Sequence, residues 1–430
     1  MDLIFEFFSF SDPNVRYVAF GSMLLTASSA MVGTFTFLDK KSLLGDAIAH
    51  AVLPGICLGF LVSGTKNPVF LITGAFATGW LSLWCIEQIT SRTRIKEDTA
   101  IGLVLSVFFG VGILMLTAIQ KTGNAAQSGL DQFIFGKAAA LVGQDLFVFS
   151  IVAATLLVAV ILLFKEFALL SFDKDYATAI GLPVKKLKIV LTGLIVLAVV
   201  AGIQAVGVIL MAAMLITPAA AARFWTDSIK KMIVLASFFG AFSGLAGAYI
   251  SWVAPAMPTG PWIVVVVSTI ALVSFFSAPR RGIVARLLKQ RRNRITINEE
   301  NVLKALYQLG EPSKVFERTW TADEIMERRS MERNILHRML KRLVDQGFVE
   351  RDRDNWRLTT EGIKKSQRTV RIHRLWELYL TTKMNIAPDH VHDDAETMEH
   401  LITPELEQEL ERQLNYPSKD PHAAEIPNRP

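Results

Sequence analysis

The sequence predicts two bodies in series: an all-α polytopic membrane domain of about nine transmembrane helices, then a soluble winged-helix domain of α+β class. Three observations carry this. The first is charge. The 430 residues hold 45 Lys+Arg and 39 Asp+Glu, a net +6, and they are unevenly spread. Residues 1–278 carry 17 basic and 14 acidic side chains, about 11% of positions, while residues 279–430 carry 28 and 25, about 35%. An ordinary soluble domain holds roughly 25%. A stretch of 278 residues so poor in charge would expose apolar surface in water, which excludes a single soluble fold, and the charged remainder excludes a wholly embedded protein. The second observation is a series of apolar stretches long enough to span a bilayer. The third is a helix, turn and strand pattern confined to the charged part.

A spanning helix needs about 20 mostly apolar residues. Such stretches fall at 17–37, 43–64, 68–86, 100–118, 146–164, 188–205, 206–222, 232–252 and 259–278. Only Gly202–Gly207 separates the sixth from the seventh, so eight or ten spans are alternative counts. Residues 124–142 are apolar enough to dip into the membrane without crossing it. Basic residues of short loops favour the cytoplasm. They gather in four segments: Arg92, Arg94 and Lys96; Lys165, Lys174, Lys185, Lys186 and Lys188; Arg223, Lys230 and Lys231; and, after the last span, seven between Arg280 and Arg294 with no acid among them. Residues 253–258 carry no charge. Nine spans place all four basic segments inside, with the N-terminus outside and the C-terminal domain cytoplasmic. Cys57 and Cys85 lie in apolar stretches and read as small core or lipid-facing residues, not as a disulfide or thiolate site. The first residues lack the basic region of a signal peptide.

Within the spans, Asp46 and His50 stand out. They lie at i and i+4 in Gly45-Asp-Ala-Ile-Ala-His-Ala-Val-Leu-Pro-Gly55 and so share one helix face. Carboxylate oxygen with imidazole nitrogen suits manganese, zinc or ferrous iron, and ionisable groups in apolar surroundings mark functional sites. The alternative is structural: Asp46 caps the helix and His50 bonds a neighbouring backbone group.

In the charged part, residues 279–297 form a basic cytoplasmic linker and residues 298–370 read as a winged helix. Glu299–Leu309 places Val302, Leu303, Leu306 and Leu309 at helical spacing. Thr321-Ala-Asp-Glu324 is a capping box opening a second helix. A third helix, from near Ser330 to Gly347, turns Ile335, Met339, Leu343 and Val344 inward. Phe348–Arg351 and Trp356–Thr359 alternate as strands, joined by a tight turn at Asp352–Asn355, and Thr360 starts another helix. A recognition helix offers its N-terminal residues to the major groove; here these are Arg333, Asn334, His337 and Arg338, of which Arg reads guanine and Asn adenine. Use of this face for protein contact is the alternative, since Glu332 would face phosphate. Residues 371–415 follow as further helices. His373 and Glu377 stand at i and i+4, and His392, Glu396, Glu399 and His400 at i, i+4, i+7 and i+8, so each set shares a face. Imidazoles and carboxylates without thiols suit manganese or ferrous iron; chance spacing in charge-rich surface helices is the alternative. Residues 416–430, with four prolines, read as a disordered tail.

Four segments resemble the metal-ion ABC permeases, which import zinc, manganese or iron: Ser42–Gly55, Phe172-Asp-Lys-Asp-Tyr-Ala-Thr-Ala-Ile-Gly-Leu-Pro183, Val206–Ala221 and Pro258-Thr-Gly-Pro261. The resemblance covers about residues 15–278. It implies a bacterial inner-membrane permease that works as a homo- or heterodimer with a separate ATP-binding cassette ATPase and an external metal-binding protein. It implies too that Asp46 and His50 line the metal path. No Gly-x-x-x-x-Gly-Lys-Ser/Thr phosphate loop occurs in the chain, so no nucleotide site is expected in it. Residues 173–181, with Asp173, Ala177 and Gly181, look like the coupling helix that docks on the ATPase; an ordinary solvated loop is the alternative.

His373-Arg-Leu-Trp-Glu377 and residues 391–400 resemble the metal-dependent repressors related to the diphtheria toxin repressor and the manganese transport regulator. By that resemblance, His373, Glu377 and His392 match ligands of one metal site, and Glu396, Glu399 and His400 ligands of another, with Glu396 the manganese-type choice. Where that family's first helix supplies acidic ligands, this chain has Asn301 and Lys304. The expectation is a permease subunit of a manganese, zinc or iron importer, not itself an enzyme, fused to a metal-responsive winged helix. The competing readings are a membrane-tethered or released metal-dependent repressor, and a dimerisation and metal-gating module that never meets DNA.

Overall fold

The computed structural model describes residues 2–41, 43–65, 67–121, 136, 141–254, 257–384, 386 and 402–429. The chain divides into two compact units, residues 1–286 and 287–430.

The first unit is helical throughout its described residues. Its helices are α1 (Asp2–Ser9), α2 (Pro13–Leu38), α3 (Leu44–Ala51), α4 (Leu53–Ser63), α5 (Pro68–Arg92), α6 (Glu97–Gln120), α7 (Gly143–Leu162), α8 (Phe164–Phe172), α9 (Lys174–Ala179), α10 (Val184–Val206), α11 (Val208–Trp225), α12 (Ile229–Val253) and α13 (Thr259–Ser277). Among the described residues eight segments are long and apolar enough to cross a membrane, α3 and α4 counting together as Leu44–Ser63; the apolar stretch of α11, Leu210–Trp225, is shorter. Nine were expected, and the short one stands where the sequence leaves the count open. Its boundary is set by Gly207, whose φ of +89° is readily adopted only by a residue without Cβ and ends α10. The region at 124–142 lies almost wholly outside the described residues.

Starts and stops follow local chemistry. Asp12 accepts a hydrogen bond from Asn14 N at 2.8 Å and Asn67 from Val69 N at 3.0 Å, capping α2 and α5, each with proline in the first turn. Proline there gives up an N–H that would have no partner anyway. The helices pack through small residues, as in membranes generally. A Cβ on Gly55 would stand 2.1 Å from Gly74 O, so α4 and α5 approach backbone to backbone. The core gathers α2, α3, α10 and α11 around Phe35, Ile48, Val196 and Leu215, all fully buried. Phe35 meets Phe167 of α8 edge to face at 5.6 Å.

The second unit is a winged helix with helical additions. Helix α14 (Ile283–Gly310) begins in the first unit and supplies Val302, Leu303 and Leu306 to the core. It starts 16 residues before the expected Glu299, so the region read as a linker is mostly helix; charge alone does not break a helix, and Arg, Lys and Leu are good helix formers. Next come β1 (Trp320–Thr321), α15 (Ala322–Arg328), α16 (Arg333–Asp345), β2 (Val349–Asp352), β3 (Asn355–Leu358), α17 (Thr360–Lys383) and α18 (Pro404–Gln413). The sheet is antiparallel, in the order β1-β3-β2, with Trp356 opposite both Trp320 and Arg351. The capping box forms: Thr321 N donates to Glu324 Oε2 at 2.7 Å and Glu324 N to Thr321 Oγ1 at 3.3 Å. On α16 the buried residues are Leu336, Met339, Leu340 and Leu343, while Ile335 and Val344 flank the core half-buried. The inward face is thus rotated slightly from the expected one.

Residues 416–429 correct the expectation of disorder. Asp420 and Ile426 are buried, Lys419 pairs with Glu425, and the segment is strapped to α17. Arg374 Nη1 donates to Glu425 O at 2.5 Å, Arg371 to Pro427 O, and Gln367 Nε2 to Asn428 O at 3.0 Å. Proline removes donors, but here carbonyls are what the strap offers, and two arginines and a glutamine of α17 supply the N–H groups.

Candidate functional site

Asp46 and His50 both lie on α3. The helix ends at Ala51, and Val52 passes the chain into α4, with proline in its first turn. His50 Nδ1 lies 3.0 Å from Asp46 O and 3.3 Å from Asp46 Oδ1. A neutral ring that donates Nδ1–H to that carbonyl carries its lone pair at Nε2, the form in which imidazole ligates a metal. The ring meets Phe109 of α6 edge-on, 5.0 Å between centroids. Around the pair Ala47, Ile48, Ala49 and Ala51 are fully buried, whereas Asp46 and His50 are only half-buried. The pair therefore sits on the one face of α3 that the bundle leaves partly open. Phe109 gave no signal in the sequence, because it comes from a different span.

The end of the bundle where α3 begins holds a cavity of about 270 Å³ lined by α2, α5, α8 and α10 and by the first residues of α6 and α9, with Leu44 of α3 in its wall. Three lysine–carboxylate pairs stand in its lining: Lys41–Glu97 at 2.7 Å, Lys188–Glu87 at 2.6 Å and Lys174–Asp39 at 3.5 Å. Each joins two different segments. Sequence reasoning treated Lys174 and Lys188 only as markers of sidedness and gave Lys41 no role.

Lys174 opens α9, the expected coupling segment. Asp173 caps it, accepting from Tyr176 N at 2.8 Å. Gly181 follows at φ +84°, and its N–H donates to Thr178 O at 3.0 Å while Leu182 N donates to Ala177 O at 3.1 Å, a left-handed stop that glycine suits. Ala177 is buried and anchors the segment inward. The outward apolar residues are Phe172, Tyr176 and Ile180, spaced by four.

In the second unit, Arg333, Asn334, His337 and Arg338 are all exposed on α16. Arg333 is paired with Asp323 of α15, and His337 Nδ1 lies 2.9 Å from Arg333 O. His373 Nε2 lies 3.1 Å from Glu377 Oε1, both side chains nearly fully buried in α17. Nitrogen with oxygen is a donor set that fits manganese, iron or zinc, and these two residues would hold such an ion. Asn301 and Lys304 are buried as well, and an ammonium has no lone pair to offer. No group of three or more His, Cys, Asp or Glu able to hold a metal occurs among the described residues. His392, Glu396, Glu399 and His400 lie outside them.

A bundle of apolar helices of bilayer length is the architecture of a multi-pass membrane protein. The chain belongs to the family described as the ABC 3 transport family, whose profile matches residues 11–278. Residues 359–428 match the profile of the iron dependent repressor, metal binding and dimerisation domain. The manganese transport system membrane protein MntC of Bacillus subtilis is 42% identical over 376 residues, covering 87% of this chain and 86% of that protein. The zinc transport system membrane protein TroC of Treponema pallidum is 42% identical over 283 residues, 66% of this chain and 95% of that one. Among solved structures, PsaBC from Streptococcus pneumoniae in complex with Fab superposes with a TM-score of 0.60 at 34% identity, covering 67% of this chain and 99% of that chain. A repressor-type domain is thus fused behind a permease.

Proposed function

We propose that the chain is the permease subunit of an ABC importer for manganese, zinc or ferrous iron in a bacterial inner membrane. In this reading it pairs with a second permease subunit, a separate ATPase and an external metal-binding protein, and its repressor-like unit lies in the cytoplasm. The observation that carries it is the Asp46–His50 pair, a carboxylate and an imidazole one turn apart on the half-buried face of a short helix otherwise walled by buried aliphatic residues. Relatives named for manganese and zinc transport support the cargo. The cation would be taken from the external protein, held by Asp46 Oδ and His50 Nε2, and released towards the lysine–carboxylate cavity. The outward Phe172, Tyr176 and Ile180 offer the ATPase an apolar contact, with Asp173 and Gly181 fixing the ends of the segment. The test is metal flux in proteoliposomes with the partner ATPase: Asp46→Ala and His50→Ala each nearly abolish it while inserting normally. Wild-type flux from either variant overturns the assignment.

The second unit is read as the importer's metal-responsive regulator. His373 and Glu377, with His392, Glu396, Glu399 and His400, would bind manganese or iron, and the family match over 359–428 supports this. The exposed Arg333, Asn334, His337 and Arg338 favour a second activity, DNA contact by a membrane-tethered or released repressor. Such binding would fall steeply with salt, because Lys/Arg–phosphate contacts release counterions.

A further inference from the structure

The first half of α14 has a property that neither transport nor metal sensing uses. Val284, Leu287 and Leu288 are 51, 57 and 52% exposed. At 100° per residue they fall within one stripe about 100° wide, the width of a buried helix face, yet each is more than half exposed. Arg292 and Arg294 flank that stripe on either side, Arg291 lies along it, and Arg286, Lys289 and Asn293 occupy the opposite face. Between Arg280 and Arg294 there are seven basic residues and no acid. Arg280 and Arg281 are already engaged by Asp227 at the start of α12. The other five meet no acidic side chain among the described residues.

Connectivity fixes what lies nearby. Helix α13, a bilayer-length apolar helix, ends at Ser277 and α14 starts at Ile283. Six residues reach at most about 20 Å, so the stripe begins within reach of the membrane surface. An amphipathic helix with aliphatic residues on one face and arginines along its flanks lies in the headgroup region, its apolar face towards the acyl chains and its guanidinium groups reaching up to phosphates. Clustered Lys/Arg beside a span favours anionic lipid.

We propose that residues 283–294 are an anionic-lipid-binding surface, lying flat on the leaflet with Val284, Leu287 and Leu288 inserted and Arg291, Arg292 and Arg294, which lie along and beside that stripe, paired with headgroup phosphates. This goes beyond the transport reading and does not depend on it.

The test uses the full chain with Cys57→Ala and Cys85→Ala, a single Leu288→Cys carrying an environment-sensitive fluorophore, and nanodiscs of phosphatidylcholine alone or with about 40% phosphatidylglycerol. Lipids with a shallow spin label serve as quencher. Quenching at position 288 should be at least about threefold stronger in the phosphatidylglycerol discs. It should fall to the phosphatidylcholine level when Arg291, Arg292 and Arg294 are changed to Gln, and also when the unaltered chain is placed in about 0.5 M salt, a control that needs no further variant to fold. The same fluorophore at Asn293→Cys should stay unquenched. Equal quenching in the two lipids overturns the proposal, as does a fluorophore at 288 that is shielded from water but unquenched, which would mean a protein surface covers the stripe.

Discussion

The Lys174 ammonium stands 3.5 Å from the Asp39 carboxylate, tying the short helix α9 to the end of α2 five residues before α3 begins. The segment read as the ATPase contact is thereby linked to the helix pair that leads to Asp46. Lys174 is half exposed, and pairs of that kind contribute about 0–1 kcal/mol to stability. Breaking it should not unfold the bundle. Lys174→Met and Asp39→Asn should each reduce metal flux per ATP hydrolysed several-fold while the ATPase still co-purifies, and the exchanged pair Asp39→Lys with Lys174→Asp should recover much of the loss. Coupling unchanged in both single variants would show that the contact is incidental.

Phe109 holds the His50 ring edge-on at 5.0 Å. Such aromatic contacts are worth about 0.5–1.5 kcal/mol. Replacing Phe109 by Ala should therefore raise the half-saturating metal concentration by about 2- to 10-fold, with maximal flux less affected. Concentration-dependent uptake measures this, and a variant with both parameters at wild-type values would remove Phe109 from the site.

The capping box at Thr321 makes the second unit acid-sensitive in a defined direction. Hydrogen bonds from the Thr321 backbone, and then from its hydroxyl, hold the Glu324 carboxyl below the usual glutamate range. A depressed folded-state value means that the stabilisation is fully present above the unfolded value, near pH 4.5, and is lost as pH falls through the folded one. Glu324→Gln should thus destabilise at neutral pH and become silent in acid, while Thr321→Ala costs about 1 kcal/mol. Thermal melts at pH 7 and pH 3.5 separate the two; an equal Glu324→Gln penalty at both would contradict the assignment.

Arg374 joins three segments. Its guanidinium donates from Nη1 and Nη2 to the two Glu311 oxygens at 2.7 and 2.8 Å, reaches Glu425 O, and lies 3.5 Å from Asp420, itself buried. Removing one partner of a buried pair costs about 3–5 kcal/mol, because the other charge is left uncompensated. Arg374→Gln should lose part of that, since Glu311 is one-third exposed and can rehydrate. The strap would then be the first segment to open, so trypsin should cut after Lys419 much faster than in the unaltered chain. Cleavage at an unchanged rate would mean that other contacts hold the strap.

Composition and period account for much of this protein. Apolar stretches of bilayer length, a four-residue capping box, a wing turn between alternating strands and an Asp–His pair at i and i+4 are all local. Each follows from backbone geometry within one or two turns and is legible without knowing what lies opposite. The boundary at Gly207 was uncertain in the sequence because apolar residues continue through it, and only its positive φ separates α10 from α11. What the tertiary structure decided are the pairings between distant segments: Lys174 with Asp39, His50 with Phe109, Asp227 with Arg280 and Arg281, and the carbonyls of Glu425, Pro427 and Asn428 with Arg374, Arg371 and Gln367 of α17. No periodicity connects residues 135 positions apart. The choice among several exposed lysines and acids is made by which helix ends meet, and a proline-rich tail becomes an ordered strap because buried arginines need acceptors that its backbone supplies.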